Sequence, residues 1–314
     1  MFSLIIPVYK NEGSIPDLLQ AISQLHAQLQ PFEAVFVVDG SPDRCYEILK
    51  EQLPQQDFPA QLLLLSRNFG SFAAIRQGLG AAKGDYFGVM AADLQEPPEL
   101  IVKMAAALRA DEADVTIGVR EQRDDPLLQR LPAELFWGAY RRYVVPAMPM
   151  GGVDIFGCNR AFRDQLLKLE ERHSSLVAQV FWMGFRRKAI PYHRQAREHG
   201  SSAWTMAKKI NYLMDSIFSF SDLPIRLLIR IGGIGSLFFG LVALFVLFAR
   251  LSGAIYVPGY AALMVTISFL GSLNLLGLGI VGSYAWRTYE NTKARPIAIT
   301  LNTHQFNGNL KNDN

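Results

Sequence analysis

The chain has little cysteine, no leader-like start and, between residues 231 and 286, almost no charge. Its 314 residues include two cysteines, Cys45 and Cys158, which make neither a disulfide framework nor a metal cluster. Both are expected to stay reduced in the cytosol. The start, Met1 to Val8, has no basic n-region and no long apolar h-region. No secretory signal is therefore expected, and the first domain should remain where it is made. Internal repeats are absent, and low complexity is confined to the polar tail Asn302–Asn314, which is expected to be mobile.

Charge is missing from Ile231–Ala249, and again from Leu251–Trp286, which is interrupted by Pro258-Gly259. Each stretch is long enough to cross hydrocarbon. Buried core helices are the alternative, but little globular chain remains to bury them. Half of all residues are hydrophobic, and the mean hydropathy of +0.14 is high for a soluble enzyme. A soluble domain joined to a two-helix transmembrane hairpin is expected, with spans at about 228–249 and 260–284. Arg226, Arg230, Arg287, Lys293 and Arg295 flank its outer ends, whereas the connecting loop holds only Arg250. The positive-inside rule then puts both ends in the cytoplasm.

The net charge is only +3, but it is unevenly spread. Between Arg186 and Arg230 the basic residues outnumber Glu198, Asp215 and Asp222. A basic collar beside a membrane segment suits lipid headgroups or an anionic substrate, although a solvated basic face is the plainer reading. Met206, Ile210, Leu213, Ile217 and Phe220 recur at helical spacing before the first span. An amphipathic helix over 205–226, lying in the lipid interface, is predicted, with an ordinary surface helix as the alternative. Residues 287–314 would form a cytoplasmic tail.

In the first half, continuous apolar runs alternate with helical patterns. Strands are predicted at Phe2–Val8, Phe32–Val38, Leu62–Ser66, Tyr86–Met90 and Val115–Val119. Helices are predicted near Ser14–Leu29, Asp43–Leu53, Phe72–Ala82 and Pro98–Arg109, and later at Leu127–Val145 and Ser174–Met183. This is the signature of an α/β domain, here 1–204, built on a mostly parallel sheet covered on both faces. Ligands of such sheets bind at the carboxyl ends of the strands. Those ends carry Pro7–Glu12, Asp39–Ser41, Arg67–Gly70, Asp93–Gln95 and Arg120.

Four motifs stand there in order: Ile5-Ile6-Pro7-Val8-Tyr9-Lys10-Asn11-Glu12, Val38-Asp39-Gly40-Ser41, Arg67-Asn68-Phe69-Gly70 and Ala92-Asp93-Leu94-Gln95-Glu96-Pro97-Pro98. With Arg197-Glu198-His199-Gly200-Ser201-Ser202 and the two apolar stretches, they resemble the inverting GT-A, family 2, polyprenyl-phosphate glycosyltransferases over nearly the whole chain. The resemblance implies a Rossmann-like GT-A domain, a nucleotide-sugar donor, a polyprenyl-phosphate acceptor in the bilayer, a Mg²⁺ or Mn²⁺ ion and a homo-oligomer.

The chemistry of each motif is consistent with that family. The Pro7–Glu12 turn can offer backbone groups and the Tyr9 ring to a base, and Asp39 can accept from base or ribose. The family usually has two acids here, but Val38 replaces the first. Asp39 also reads as a turn-forming Asp before Gly. The family's metal motif, Asp-x-Asp followed by Leu-Gln, is represented by Ala91, Asp93 and Gln95, so its first acid is missing. Asp93 and Gln95 remain as oxygen ligands, with diphosphate oxygens and water to complete the shell; a helix N-cap is the other reading of Asp93.

The acceptor, a phosphate monoester, is largely dianionic at neutral pH. It needs alignment and relief of repulsion more than a base, which favours arginines. Arg120, Arg130 and Arg197, with Arg194 as a fourth, are the phosphate-binding candidates; Arg130 also reads as a solvated helix residue. Gly151-Gly152-Val153-Asp154-Ile155-Phe156 matches the family's acceptor-side loop, whose Asp is the proposed base. Asp154 can orient rather than abstract, or serve structurally beside an Arg.

A processive polysaccharide synthase is disfavoured by the lack of a Gln-x-x-Arg-Trp segment and of further spans. A transporter is disfavoured because two uncharged spans make no pathway. A non-catalytic membrane scaffold is motivated by Val38 and Ala91 and opposed by the retained Asp93, Gln95 and Asp154. The two-span pattern leans toward a UDP-sugar and undecaprenyl phosphate, with GDP-mannose as the alternative donor.

Overall fold

The computed structural model describes residues 1–120, 138, 141–142, 145–149, 153, 155–171, 174–195, 206–252 and 259–308. Strands β1 (Phe2–Val8), β2 (Phe32–Val38), β3 (Ala60–Leu65), β4 (Tyr86–Val89) and β5 (Val115–Arg120) alternate with helices α1 (Ile15–Gln28), α2 (Cys45–Gln52), α3 (Ser71–Ala81) and α4 (Pro98–Arg109). Then come β6 (Phe156–Asn159), α5 (Arg160–Leu167), α6 (Leu176–Trp182) and β7 (Arg187–Tyr192). The last elements are α7 (Met206–Phe220), α8 (Leu223–Leu251), α9 (Tyr260–Thr292) and β8 (Thr300–Phe306).

All the strands join one sheet in the order β7-β5-β6-β4-β1-β2-β3-β8. It is mostly parallel, as predicted; β6 and β8 alone run against the rest. Alternation within β1 and β2 sorts side chains to two faces. Leu4, Ile6, Phe36 and Val38 pack beneath α1, α2 and α4, while Ile5, Val35 and Val37 pack with α3, α5 and α6. Each large side chain buried in this way stabilises the fold by about 1.5–3 kcal/mol. Helix α1 forms because Ile15, Leu18, Leu19, Ile22 and Leu25 fall on one buried stripe and Pro16 pre-sets its first turn.

At the amino ends of the strands the buried Glu33 collects a polar network. It accepts from Ser3 Oγ at 2.6 Å, from Gln61 Nε2 at 3.0 Å and from the Lys83 backbone N–H at 2.5 Å. Gly84 N–H donates in turn to Ser3 Oγ and Gln61 Nε2 also reaches the Ala81 carbonyl, so these buried polar groups are paired.

In the C-terminal half of α7, the partly buried Leu213, Ile217 and Phe220 pack against the core beneath α3 and α6, and Ser216 is fully buried. The sequence reading differs from the structure in two places. The tail predicted to be mobile, Asn302–Asn314, begins with most of β8, which pairs antiparallel with β3 from Ala60↔Phe306 to Leu65↔Thr300. The His304 ring lies tilted beside Tyr46 and shares a 3.0 Å hydrogen bond with its hydroxyl. Strands β6 and β7 add to the expected five.

Helices α8 and α9 lie side by side, with Leu228 against Gly277 and Leu273 near Gly235. Ile234, Leu237, Phe245 and Phe248 of α8 and Leu275 and Leu278 of α9 are 67–78% exposed. Among the described residues, one stretch, Phe269–Thr292 of α9, meets the length and composition needed to cross a membrane. An ion pair at 2.9 Å between Arg287 and Asp215 ties α9 to α7; the Arg287 guanidinium lies over the Phe218 ring, which meets Tyr284 edge-on.

Candidate active site

Because β1, β2, β3, β4 and β5 run the same way, the turns that follow them meet at one edge of the sheet. The turn after β1 passes through Lys10, whose φ of 56° is left-handed. Its backbone is held from the β2 side: Lys10 N–H donates to Ser41 Oγ at 2.8 Å and Glu12 N–H to Asp43 Oδ2 at 3.2 Å. Glu12 in turn accepts the Arg44 N–H at 3.1 Å. Asn11 N–H donates to Cys45 Sγ at 3.3 Å. Burial pushes the Cys45 thiol up to about 12, so it is no nucleophile at neutral pH. Tyr9 is half-buried, with the Lys10 ammonium 5.6 Å from its ring centroid.

Asp39 is buried and joins two strand ends. Its carboxylate oxygens accept the Phe69 N–H at 2.7 Å and the Gly70 N–H at 2.8 Å. Burial raises its pKa more than those two bonds and the Arg67 charge lower it. Gly40 follows with φ +54°, and a Cβ there would stand 2.3 Å from the Arg67 carbonyl carbon. Only glycine permits that approach. The Arg67 guanidinium lies 4.0 Å from the Phe69 ring centroid.

At the end of β4, Asp93 is half-buried and its Oδ1 accepts the Gln95 N–H at 3.4 Å, across a left-handed Leu94 with φ 53°. Ser14 Oγ donates to the Ala92 carbonyl at 2.9 Å, binding this turn to the β1 side. Gln95 meets the segment after β7, where Arg194 donates to its side-chain oxygen and Gln195 N–H to its carbonyl at 2.9 Å. Arg120 is the register partner of Tyr192. A cleft of about 460 Å³ opens alongside, lined by Glu99, Lys103, Tyr192, His193 and Arg194 among others.

The structure thus brings Pro7, Tyr9, Glu12, Asp39 and Asp93 to one edge and joins Gln95 to Arg194, while Arg120 ends β5 opposite Tyr192 of β7. Arg130, Asp154 and Arg197 lie outside the described residues. Ser41 closes the Val38–Ser41 motif, but its partner Asp43 is not marked by the sequence reading, although Ser41-Pro42-Asp43 carries turn chemistry. Hydrogen bonds from Ser41 and Cys45 and from the Glu12 N–H hold the Asp43 carboxyl below its usual range, against the opposing effect of burial.

Among the described residues no cluster of three His, Cys, Asp or Glu could hold a metal. Asp93 offers one carboxylate and Gln95 one amide oxygen, which already accepts from Arg194. These hard donors fit Mg²⁺ or Mn²⁺ only together with substrate oxygens and water.

Residues 3–190 match the model of the family described as glycosyl transferase family 2. An uncharacterized glycosyltransferase of Synechocystis sp. is 31% identical over 95% of this chain and 93% of its own length. The undecaprenyl-phosphate 4-deoxy-4-formamido-L-arabinose transferase of Pseudomonas aeruginosa is 33% identical over 94% of this chain and 88% of its own. Among solved structures, glucosyl-3-phosphoglycerate synthase from Mycobacterium tuberculosis, with Mn²⁺, uridine-diphosphate-glucose and phosphoglyceric acid, aligns with 14% identity. That alignment spans 69% of this chain and 77% of the other, with a TM-score of 0.46.

Proposed function

We propose that this chain, which belongs to glycosyl transferase family 2, moves a sugar with inversion from a nucleotide-sugar, a UDP-sugar in preference, to undecaprenyl phosphate at the cytoplasmic face of the plasma membrane. The observation that carries this reading is the likeness, over 94% of the chain, to a transferase named for undecaprenyl phosphate.

On this reading the donor lies across the carboxyl ends of β1, β2 and β4. Pro7, Tyr9 and Glu12 border the base. Asp39 acts partly through the Arg67–Gly70 loop it holds, and keeps lone pairs for a ribose hydroxyl. Asp93 and Gln95 face the diphosphate, where a Mg²⁺ or Mn²⁺ ion would screen the charge of the leaving group. An acceptor phosphate oxygen forms the new bond to C1 of the sugar. The bond from C1 to the diphosphate oxygen breaks, and the electron pair leaves with the nucleoside diphosphate. The acceptor arrives ionised, since its second pKa is near 6. Arg120, Arg130, Arg194 and Arg197 relieve repulsion between the two anions, and Asp154 orients the acceptor.

The membrane part follows the same reading. Helices α8 and α9 form a hairpin of two spans with both ends cytoplasmic, supported by their exposed apolar side chains and by the basic residues flanking them. The assembly is a homo-oligomer, as in the family the sequence resembles.

Radiolabelled UDP- and GDP-sugars, incubated with membranes containing the chain and polyprenyl phosphate, test the reading. Label is expected in the lipid fraction from a UDP-sugar. Transfer from GDP-mannose alone would reassign the donor, and no transfer from any sugar would reject the reading.

A further inference from the structure

The turn after β4 and the segment after β7 are stapled at three points. Gln195 N–H donates to the Gln95 carbonyl at 2.9 Å, Gln95 Nε2 donates to the Gln195 carbonyl at 3.4 Å, and Arg194 Nη2 donates to Gln95 Oε1. A guanidinium therefore sits two residues beyond Asp93, at the mouth of a cleft that Lys103 and His193 also line.

Charge gives this arrangement its meaning. With acids at both 91 and 93, the end of β4 would carry two negative charges and repel a diphosphate until a divalent cation bound. Here Ala91 removes one of those acids, and Arg194, held on Gln95 Oε1, adds a guanidinium to the same turn. Glu96 and Glu99 are negative and Lys103 positive in the same stretch. Relative to a turn with acids at both 91 and 93, the balance shifts by about two charges toward positive, and an oxyanion meets a guanidinium suited to bidentate pairing. Arginine cannot lose that charge at working pH.

We infer that Arg194 is a ligand of the donor diphosphate and replaces part of the divalent cation's charge, so that nucleoside diphosphate binding survives metal removal. The inference rests on the reading that the donor diphosphate lies at the carboxyl end of β4. It makes the loss at Ala91 and the arginine on Gln95 two halves of one adaptation.

Calorimetric titration of UDP and of GDP into the full chain in lipid nanodiscs, once in EDTA and once in Mn²⁺, tests it. The wild type is expected to bind one of them in EDTA within about tenfold of its affinity in Mn²⁺. Arg194→Gln should lose at least about tenfold in EDTA and much less in Mn²⁺, with Arg194→Lys between. Ala91→Asp should likewise weaken binding in EDTA and recover it in Mn²⁺. Equal binding by wild type and Arg194→Gln in EDTA, with unchanged thermal unfolding, overturns the role of Arg194 and leaves the donor site standing. Wild-type binding that vanishes in EDTA but persists in Mn²⁺ overturns it as well. Absence of binding in both conditions overturns the donor site beneath it.

Discussion

Asp39 holds Gly70 across the gap between two strand ends, its carboxylate accepting the Gly70 N–H at 2.8 Å. The neighbouring Phe69 N–H occupies its other oxygen. Replacing Asp39 with Asn turns one acceptor into a donor facing an N–H. Asp39→Asn is expected to cost about 1–3 kcal/mol of stability and to weaken UDP binding, measured by thermal unfolding and calorimetry. Unchanged unfolding would mean that the clamp contributes nothing.

The pH dependence of stability separates Asp39 from Asp43. The Asp43 carboxyl titrates below its ordinary 3.8, so its contribution is present above 3.8 and lost as pH falls through the lower folded value. Asp39 titrates above 3.8, chiefly because it is buried. Its contribution is complete below 3.8 and lost as pH rises through the folded value. In unfolding curves between about pH 3 and 6, Asp43→Ala should flatten the acid limb and Asp39→Asn should steepen it. Parallel curves for both variants would reject the assignment.

Asp93→Ala removes the one acid left in the metal motif. Transfer is expected to fall by at least roughly a hundredfold, with the fold intact by circular dichroism. Turnover undiminished in metal-replete buffer would displace the diphosphate from this strand end.

Asp154→Asn distinguishes a base from an orienting group. A lost base should be partly rescued as the acceptor phosphate ionises, whereas lost orientation should be nearly independent of pH above about 7. Flat, reduced transfer between about pH 7 and 9, at saturating lipid, is the expected result. Strong recovery in that range would make Asp154 a base.

Topology gives the fifth test. Since β8 pairs with β3, a reporter after Asn314 is expected in the cytoplasm with the catalytic domain, and one inserted near Val257 outside. A cytoplasmic signal at Val257 would dismantle the proposed hairpin.

The parts of this fold legible in the sequence are those where a single physical signal dominates. Strands β1 and β2 are continuous apolar runs because both their faces are covered, and α1 and α4 carry clean stripes. Strand β8 was not legible: Thr-Leu-Asn-Thr-His-Gln-Phe is polar, because an edge strand with exposed side chains needs a partner backbone more than an apolar face. The α7 stripe was seen, but periodicity alone does not say whether lipid or protein covers it. At the site, Asp39 and Gly40 were marked by type and place. The donors that fill the Asp39 oxygens come from a loop about thirty residues away, and no local pattern records such a pairing.

The strand that completes the sheet is also the last to leave the ribosome. Ala60–Leu65 is made early, yet its partner Thr300–Phe306 emerges only after Tyr260–Thr292. Throughout the synthesis of the long helices, the β3 edge stays open to other chains. The catalytic domain therefore cannot finish folding until its apolar helices have been made and placed. On the proposed two-span reading, a failure to place those helices would leave the β3 edge unpaired, and an error in the lipid part would be felt as a defect in the sheet.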